Sequence, residues 1–343
     1  MSTLLRDPNS PDSALESVSD GEVEQINEIV AIHLSVTDPA ERPVPRGQHM
    51  KGHGCVRARF EVLPNLPEPL RHGIFAQSGA FDAYIRFSNG KGMDDRQPDA
   101  HGMAIKLLGV PGEKILEDEK DATTQDFVLI DHPVFFIRNV ADYVPFMKDF
   151  RRLKSAGLTI GKVCAGLKLL FSRDYKWRLL RATGSKRPDS PLRISYWSTT
   201  PSKLGPSAVK YMAAPDLSGV PAVQAIDSPD KLRMAMAAFL ASHEARFDFS
   251  IQVQGDRIAM PVEDPTVPWT TPWQKVALIR IPPQSFDSPE QMKFCENLSF
   301  TPWHSLPDHR PLGGINRARK QVYKAISEQR HKLNGTIPRE PVD

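Results

Sequence analysis

The chain is short of the features that mark the most easily recognised classes of protein. Its 343 residues hold three cysteines, Cys55, Cys164 and Cys295, none at CxxC spacing. This odd, scattered set argues against a zinc site and against a disulfide framework, and leads to an expectation of free thiols and a cytoplasmic setting. No stretch approaches the roughly 18 apolar residues of a membrane span. The first twenty residues lack the basic start and apolar core of a secretory signal. Charge of one sign is lacking too. Lys and Arg total 44 against 41 Asp and Glu, a formal net charge of +3. That is too little for a nucleic-acid surface, and no basic stripe is interleaved with aromatics.

What the chain has in quantity is proline, at 31 residues, which points to loops and wrapping segments rather than a helical bundle. Residues 1–21 are polar, acidic and rich in Ser and Pro, and are expected to form a mobile arm. Residues 22–343 are expected to form one domain. A helix is predicted over Glu22–Leu34, where Val23, Ile26, Ile29, Val30 and His33 share a face. Strands are predicted in two sets of four. The first comprises Cys55–Leu63, Ala83–Ser88, Gly102–Leu108 and Asp126–Ile130. The second comprises Arg193–Ser198, Ala208–Ala213, Phe247–Gln254 and Val276–Ile281. In CVRARFEVL the alternation puts Cys55, Arg57 and Arg59 on one face and Val56, Ala58, Phe60 and Val62 on the other. Helices are predicted between the sets, over Tyr143–Lys154 and Leu158–Ser172, and later over Asp230–Arg246. Four strands, a helical insertion, four strands and a C-terminal helix describe a closed or nearly closed barrel dressed with helices.

The last helix carries the first chemical signal. In PLGGINRARKQVYKAISEQRHKLNG, Asn316 is a candidate N-cap and Asn334-Gly335 closes the far end. Arg319 and Tyr323 are four residues apart and Arg330 lies seven further on, so all three share one side of the helix. A nearby positive charge favours a phenolate, which is a hard anionic ligand suited to ferric iron. By itself this spacing is what any amphipathic surface helix shows.

Five segments in order add to it. The RxxxY helix with a second Arg seven residues on resembles the haem-ligand helix of the haem catalases, where tyrosine binds the iron and the first Arg steadies it. MKFCENLSFTPWHSLP resembles the stretch that leads into that helix. RGQHMKGHGCVRARFEV resembles the distal-histidine motif, which implies His49 as distal acid–base and Arg46 as a partner of a haem propionate. AYIRFSNG resembles the strand that supplies Arg86 and Ser88. HGMAIKLLG resembles a further family strand, with His101 in an arginine's place. DFVLIDHPVFFIRN resembles the distal-Asn segment, after which Tyr143 falls where the family stacks a Phe over the haem. Arg330 is then the third propionate arginine. The match covers most of residues 46–140 and 275–331.

The resemblance is to the minimal catalase-related subgroup, without the C-terminal segments of the large catalases. It implies an α+β fold: an eight-stranded antiparallel β-barrel with a helical insertion and a C-terminal haem-ligand helix. It also implies haem b, with Tyr323 on the iron, and hydrogen peroxide or an organic hydroperoxide as substrate. A homo-oligomer is compatible with it. His49 would move a proton from the inner to the outer peroxide oxygen. Paired cations suit the two haem carboxylates, and Arg offers a bidentate geometry that Lys does not.

The chain departs from the family in the distal pocket. No Asn precedes Pro133, and Asp131 or Ile130 stands nearest. Asp131 is therefore either an altered catalytic group or a loop cap. Gln48 and Asn89 add polar groups that could hold a larger hydroperoxide. His53, His101, His304 and His309 read as structural, the last two without neighbouring carboxylates to suggest a metal. Trp273 and Trp303 read as core or loop anchors. Three other readings stay open: a fatty-acid hydroperoxide isomerase of the allene-oxide-synthase kind, a non-catalytic haem carrier, and a haem-free barrel that binds a small lipid.

Overall fold

A computed structural model describes residues 10–37, 43–155, 163–164, 167, 172, 174–337 and 340–341. The helix expected over 158–172 therefore falls almost wholly outside the described residues. Among the described residues nine strands form: β1 (Gly52–Val62), β2 (Gly79–Asn89), β3 (His101–Leu107), β4 (Gln125–Ile130), β5 (Tyr196–Trp197), β6 (Ser202–Leu204), β7 (Ser207–Pro215), β8 (Ala245–Val253) and β9 (Trp273–Ile281). Antiparallel pairing runs from β5 through β4, β3, β2, β1, β9 and β8 to β7, and β5 pairs back onto β7. Eight strands thus close on themselves, with β6 attached to β7. Closure leaves no open sheet edge around the ring.

The alternation read in β1 is the reason for its placement. Val56, Ala58, Phe60 and Val62 are buried, while Arg57 and Arg59 are exposed. Inside the barrel Phe60 lies 5.0 Å from Phe249 and 6.2 Å from Phe127, ring centre to ring centre. Phe75 and Tyr211 complete the aromatic filling. Each fully buried aromatic stabilises the fold by roughly 1.5–3 kcal/mol. Among the described residues the barrel interior is thus filled by packed side chains.

Among the described residues six helices dress the barrel: α1 (Glu22–Ser35), α2 (Val140–Ser155), α3 (Tyr175–Thr183), α4 (Lys231–Leu240), α5 (Pro289–Asn297) and α6 (Gly314–Asn334). Ile26, Ile29 and Ile32 of α1 pack with Val144 and Met147 of α2 and with Ile315, Ala318 and Val322 of α6. That apolar layer holds α6 against the barrel.

Several expectations are corrected. α4 stops at Leu240 and Ala245 already begins β8, because the alternating ARFDFSIQV pairs with β9. The cap of α6 is Gly313, with φ 88°, not Asn316, whose amide bonds elsewhere. Gly335, at φ 62°, does close the helix. Cys55 and Cys295 are bonded to each other, with Cα atoms 5.3 Å apart across 240 residues. Sequence spacing could not reveal this, because the barrel brings the pair together. It removes the ground on which free thiols and a cytoplasmic setting were expected. Among the described residues no helix is long and apolar enough to cross a membrane.

Residues 10–21, expected as a mobile arm, contact the body of the protein. The Glu16 side chain is fully buried and pairs with Arg310 and Arg317, and it accepts from the Gly313 N–H at 2.7 Å. Residues 1–9 lie outside the described residues.

Candidate active site

The first group of candidate residues gathers around His49, in the loop just before β1. His49 has a left-handed backbone, φ 54°, and its N–H donates to Gly90 O at 2.9 Å. Its Nδ1 lies 3.1 Å from Ser88 Oγ. Across the sheet Ser88 pairs with Gly102. Arg86 donates from Nη2 to the His49 carbonyl at 2.9 Å. Burial, and after it the Arg86 guanidinium, pushes the His49 pKa down to about 4, against the pull of Asp99 and Asp131. The imidazole is therefore neutral near pH 7 and able to accept a proton.

Asp131 is committed to His101. One oxygen accepts from the His101 backbone N–H at 3.0 Å, and the other lies 2.7 Å from His101 Nδ1. Of the two readings left open for Asp131, this contact pattern is that of a cap. Asn89 is likewise occupied, with Oδ1 2.9 Å from His53 Nε2 and Nδ2 2.7 Å from Asp95 Oδ1. It is not free to hold a hydroperoxide. His53 sits in strand β1. Gln48 is exposed.

Arg46, Arg86 and Arg330 come from a loop, a strand and a helix, and converge on one carboxylate. Glu296 of α5 lies 3.2 Å from Arg46, 3.1 Å from Arg330 and 3.7 Å from Arg86. Arg46 also donates to the carbonyl of Glu296 at 2.8 Å, and Arg330 to the same carbonyl at 3.1 Å. Burial, then Arg46, pushes Arg86 down to about 9 and Arg330 down to about 10. Arg86 Nε is buried without a hydrogen-bond partner. Three crowded cations with a spare donor are what a site for further anionic groups requires.

The third group is on α6. Arg319 Nη2 donates to Tyr323 Oη at 3.3 Å, and the guanidinium carbon lies 5.4 Å from the ring centre. Arg319 Nη1 donates to Thr200 Oγ1 at 2.9 Å and to Asn316 Oδ1 at 3.1 Å. The Asn316 amide is held in turn by the carbonyls of Pro201 and Leu312, both at 2.8 Å. A cavity of about 20 Å³ beside Ser198, Thr200, Asn316 and Arg319 has room for one water. Tyr143 packs in the helical layer against α1, its hydroxyl 3.3 Å from His33 Nε2. Burial raises its pKa, with Tyr323 the next cause.

The chain Arg330–Glu296–Arg86–His49 therefore joins α6, α5, β2 and the start of β1. Sequence reasoning missed Glu296, Gly102, Thr200 and Asn316 as parts of this region. A lone Glu, Thr or Asn carries no spacing signal, although Glu296 lies inside one of the matching segments.

The remaining histidines are elsewhere. His309 bonds Tyr211 Oη at 3.1 Å and accepts from the Ile74 N–H at 3.0 Å, a structural role in the barrel floor. His304 does have carboxylate neighbours, contrary to expectation. It pairs with Glu119, and its Nε2 lies 3.8 Å from Glu340. Lys106 already provides a cation there, 2.8 Å from both Glu340 and Asp126. Trp303 is buried and donates to Asn316 O at 2.7 Å, an anchor as expected.

A closed eight-stranded barrel backed by a helical layer and a long C-terminal helix is the architecture of the catalases. No family model matches the chain. A catalase-related peroxidase of Mycolicibacterium paratuberculosis (strain ATCC BAA-968 / K-10) is 26% identical over 219 residues, 61% of this chain and 64% of that protein. The match thus spans less than two thirds of that relative's length. Catalase A of Saccharomyces cerevisiae superposes with a TM-score of 0.59 at 16% identity, over 96% of this chain and 71% of that one. A bacterial catalase superposes with a TM-score of 0.55 at 13% identity, over 97% of this chain and 66% of that one. The chain thus has the fold of the catalases and is similar in sequence to a catalase-related peroxidase.

Proposed function

We propose that this chain is a catalase-like haem peroxidase, with residues 22–343 forming one haem domain. The observation that carries the reading is the convergence of Arg46, Arg86 and Arg330, with Arg86 bonded directly to the His49 backbone. Such a cluster, with its orphaned Arg86 Nε, suits the two carboxylates of a haem. Tyr323 would hold the iron, with the Arg319 guanidinium donating to its oxygen at 3.3 Å. When bound, the haem supplies the redox chemistry that opens the peroxide O–O bond.

The protein's own work is proton movement and exclusion. With Nδ1–H donating to Ser88 Oγ, His49 Nε2 carries the free lone pair. It accepts the proton of a hydroperoxide and returns it to the departing oxygen, which leaves as water or an alcohol. The depressed pKa of His49 keeps it ready for the first half of that exchange. Asp131, with both oxygens on His101, acts on His49 through its charge rather than by touching peroxide. Tyr143, close enough to Tyr323 for their charges to be felt, would wall that side of the site.

The test is an absorption spectrum of the purified protein, with turnover of hydrogen peroxide in an oxygen electrode and of an organic donor in a peroxidase assay. The expected result is a Soret band with peroxide-dependent oxidation of the donor. A protein that neither carries haem nor takes it up when haem is added would sink the reading. Loss of a fatty-acid hydroperoxide without any reductant would identify the isomerase instead.

A further inference from the structure

Among the described residues, Glu296 is the one carboxylate within 4 Å of Arg46, Arg86 or Arg330. Oε1 serves Arg46 and Arg330, and Oε2 faces Arg86. Three guanidiniums against one carboxylate leave a net charge of +2. We infer that Glu296 is the fixed countercharge of this cradle: it holds the three arginines together at a net charge matched to a macrocycle bearing two carboxylates. Ligand choice at the site is then set by charge number as well as by shape. The inference rests on the haem reading above.

Two further observations distinguish a fixed countercharge from a carboxylate that merely fills empty space. The backbone around Glu296 is itself part of the cradle. Arg46 donates to the carbonyls of Cys295, Glu296 and Leu298, and Arg330 to that of Glu296. These carbonyls lie at and just beyond the end of α5, where the helix dipole favours cations. The neighbouring residue is also tied down, because Cys295 is bonded to Cys55 of β1. A side chain on such a support cannot swing away when the ligand arrives without giving up contacts to arginines on three different elements. Without its charge, buried Arg86 and Arg330 and half-buried Arg46 would repel one another and the cradle would open, since like charges in a poorly solvated site are costly. The buried, unpartnered Arg86 Nε is a donor that Glu296 leaves for the ligand.

The experiment titrates apoprotein with ferric protoporphyrin IX and, separately, with its dimethyl ester, which lacks both carboxylates. Binding is followed by the Soret band and by quenching of tryptophan fluorescence. Wild-type protein is expected to bind the diacid at least about tenfold more tightly than the ester, the scale of one charge-assisted contact. Glu296→Gln should weaken the diacid by about tenfold or more and leave the ester unchanged, and Glu296→Asp should recover part of the loss. Equal weakening of both ligands would show a merely structural role and overturn the inference. An unchanged or tighter diacid would also overturn it, the tighter case identifying Glu296 as a competitor. Wild-type protein that binds neither ligand would remove the haem reading itself, and this inference with it.

Discussion

The His49 ring occupies the space that a side chain on Gly102 would need. A Cβ at Gly102 would stand 2.5 Å from His49 Nδ1 and 2.9 Å from Ser88 Oγ. Glycine in the interior of a strand is ordinarily a cost, through entropy and lost packing. Here it makes room for the histidine–serine pair. Gly102→Ala should therefore displace His49, retain haem, and lower peroxide cleavage by roughly 10²-fold, the same order as removing a general acid–base with His49→Ala. Stopped-flow traces with hydrogen peroxide would measure it. A variant as fast as wild type would show that the ring is not held where peroxide is cleaved.

Tyr323→Phe removes the oxygen to which Arg319 Nη2 donates. The expected outcome is loss of the high-spin ferric Soret and charge-transfer bands of a tyrosine-ligated haem. Arg319→Lys should shift them, because the planar guanidinium bridges Tyr323 and Thr200 at once. An unchanged spectrum in Tyr323→Phe would rule out that ligand.

Cys55 and Cys295 close a loop of 240 residues. Unfolded, unreduced protein should present one reactive thiol, that of Cys164, and three after reduction. Cys295→Ser should lower stability by roughly 2–4 kcal/mol, measured by urea unfolding of the oxidised proteins. Three reactive thiols before reduction would contradict the pairing.

Acid should destabilise the fold. Burial pushes His33 and His53 down to about 4 and His309 to about 3. Their unfolded values lie near 6.5, so below that pH the unfolded chain binds protons that the folded one does not. Their stabilising effect is complete above about pH 6.5 and is lost as pH falls toward 4, by roughly 1–3 kcal/mol each. Asp126, pushed up to about 6 by burial, works in the opposite direction below that value and offsets part of the loss. The urea midpoint should therefore decline steadily between pH 6.5 and 4.5. A flat profile over that interval would show that these histidines are not buried in the neutral form.

By itself the sequence determined everything that depends on near neighbours along the chain. Alternation over two residues located the eight barrel strands to within a few positions. Helical spacing put Arg319, Tyr323 and Arg330 on one side of α6, and the glycine after Asn334 marked its end. Where a tertiary contact competed with a local pattern, the reading slipped. The α4 signal ran on into β8 because β9 pairs with that segment, and Asn316 looked like a cap because two of its amide's partners, Pro201 and Thr200, lie more than a hundred residues away. The same cause hid Glu296 beside Arg46, 250 residues apart, and Cys55 beside Cys295. Closing the barrel decides these contacts, because only a closed ring of strands brings the loop before β1, the strand β2 and the helices α5 and α6 to one place. The fold class could thus be read from local chemistry and the candidate iron ligand from the family resemblance, whereas the charge balance of the site is a property of the folded chain alone.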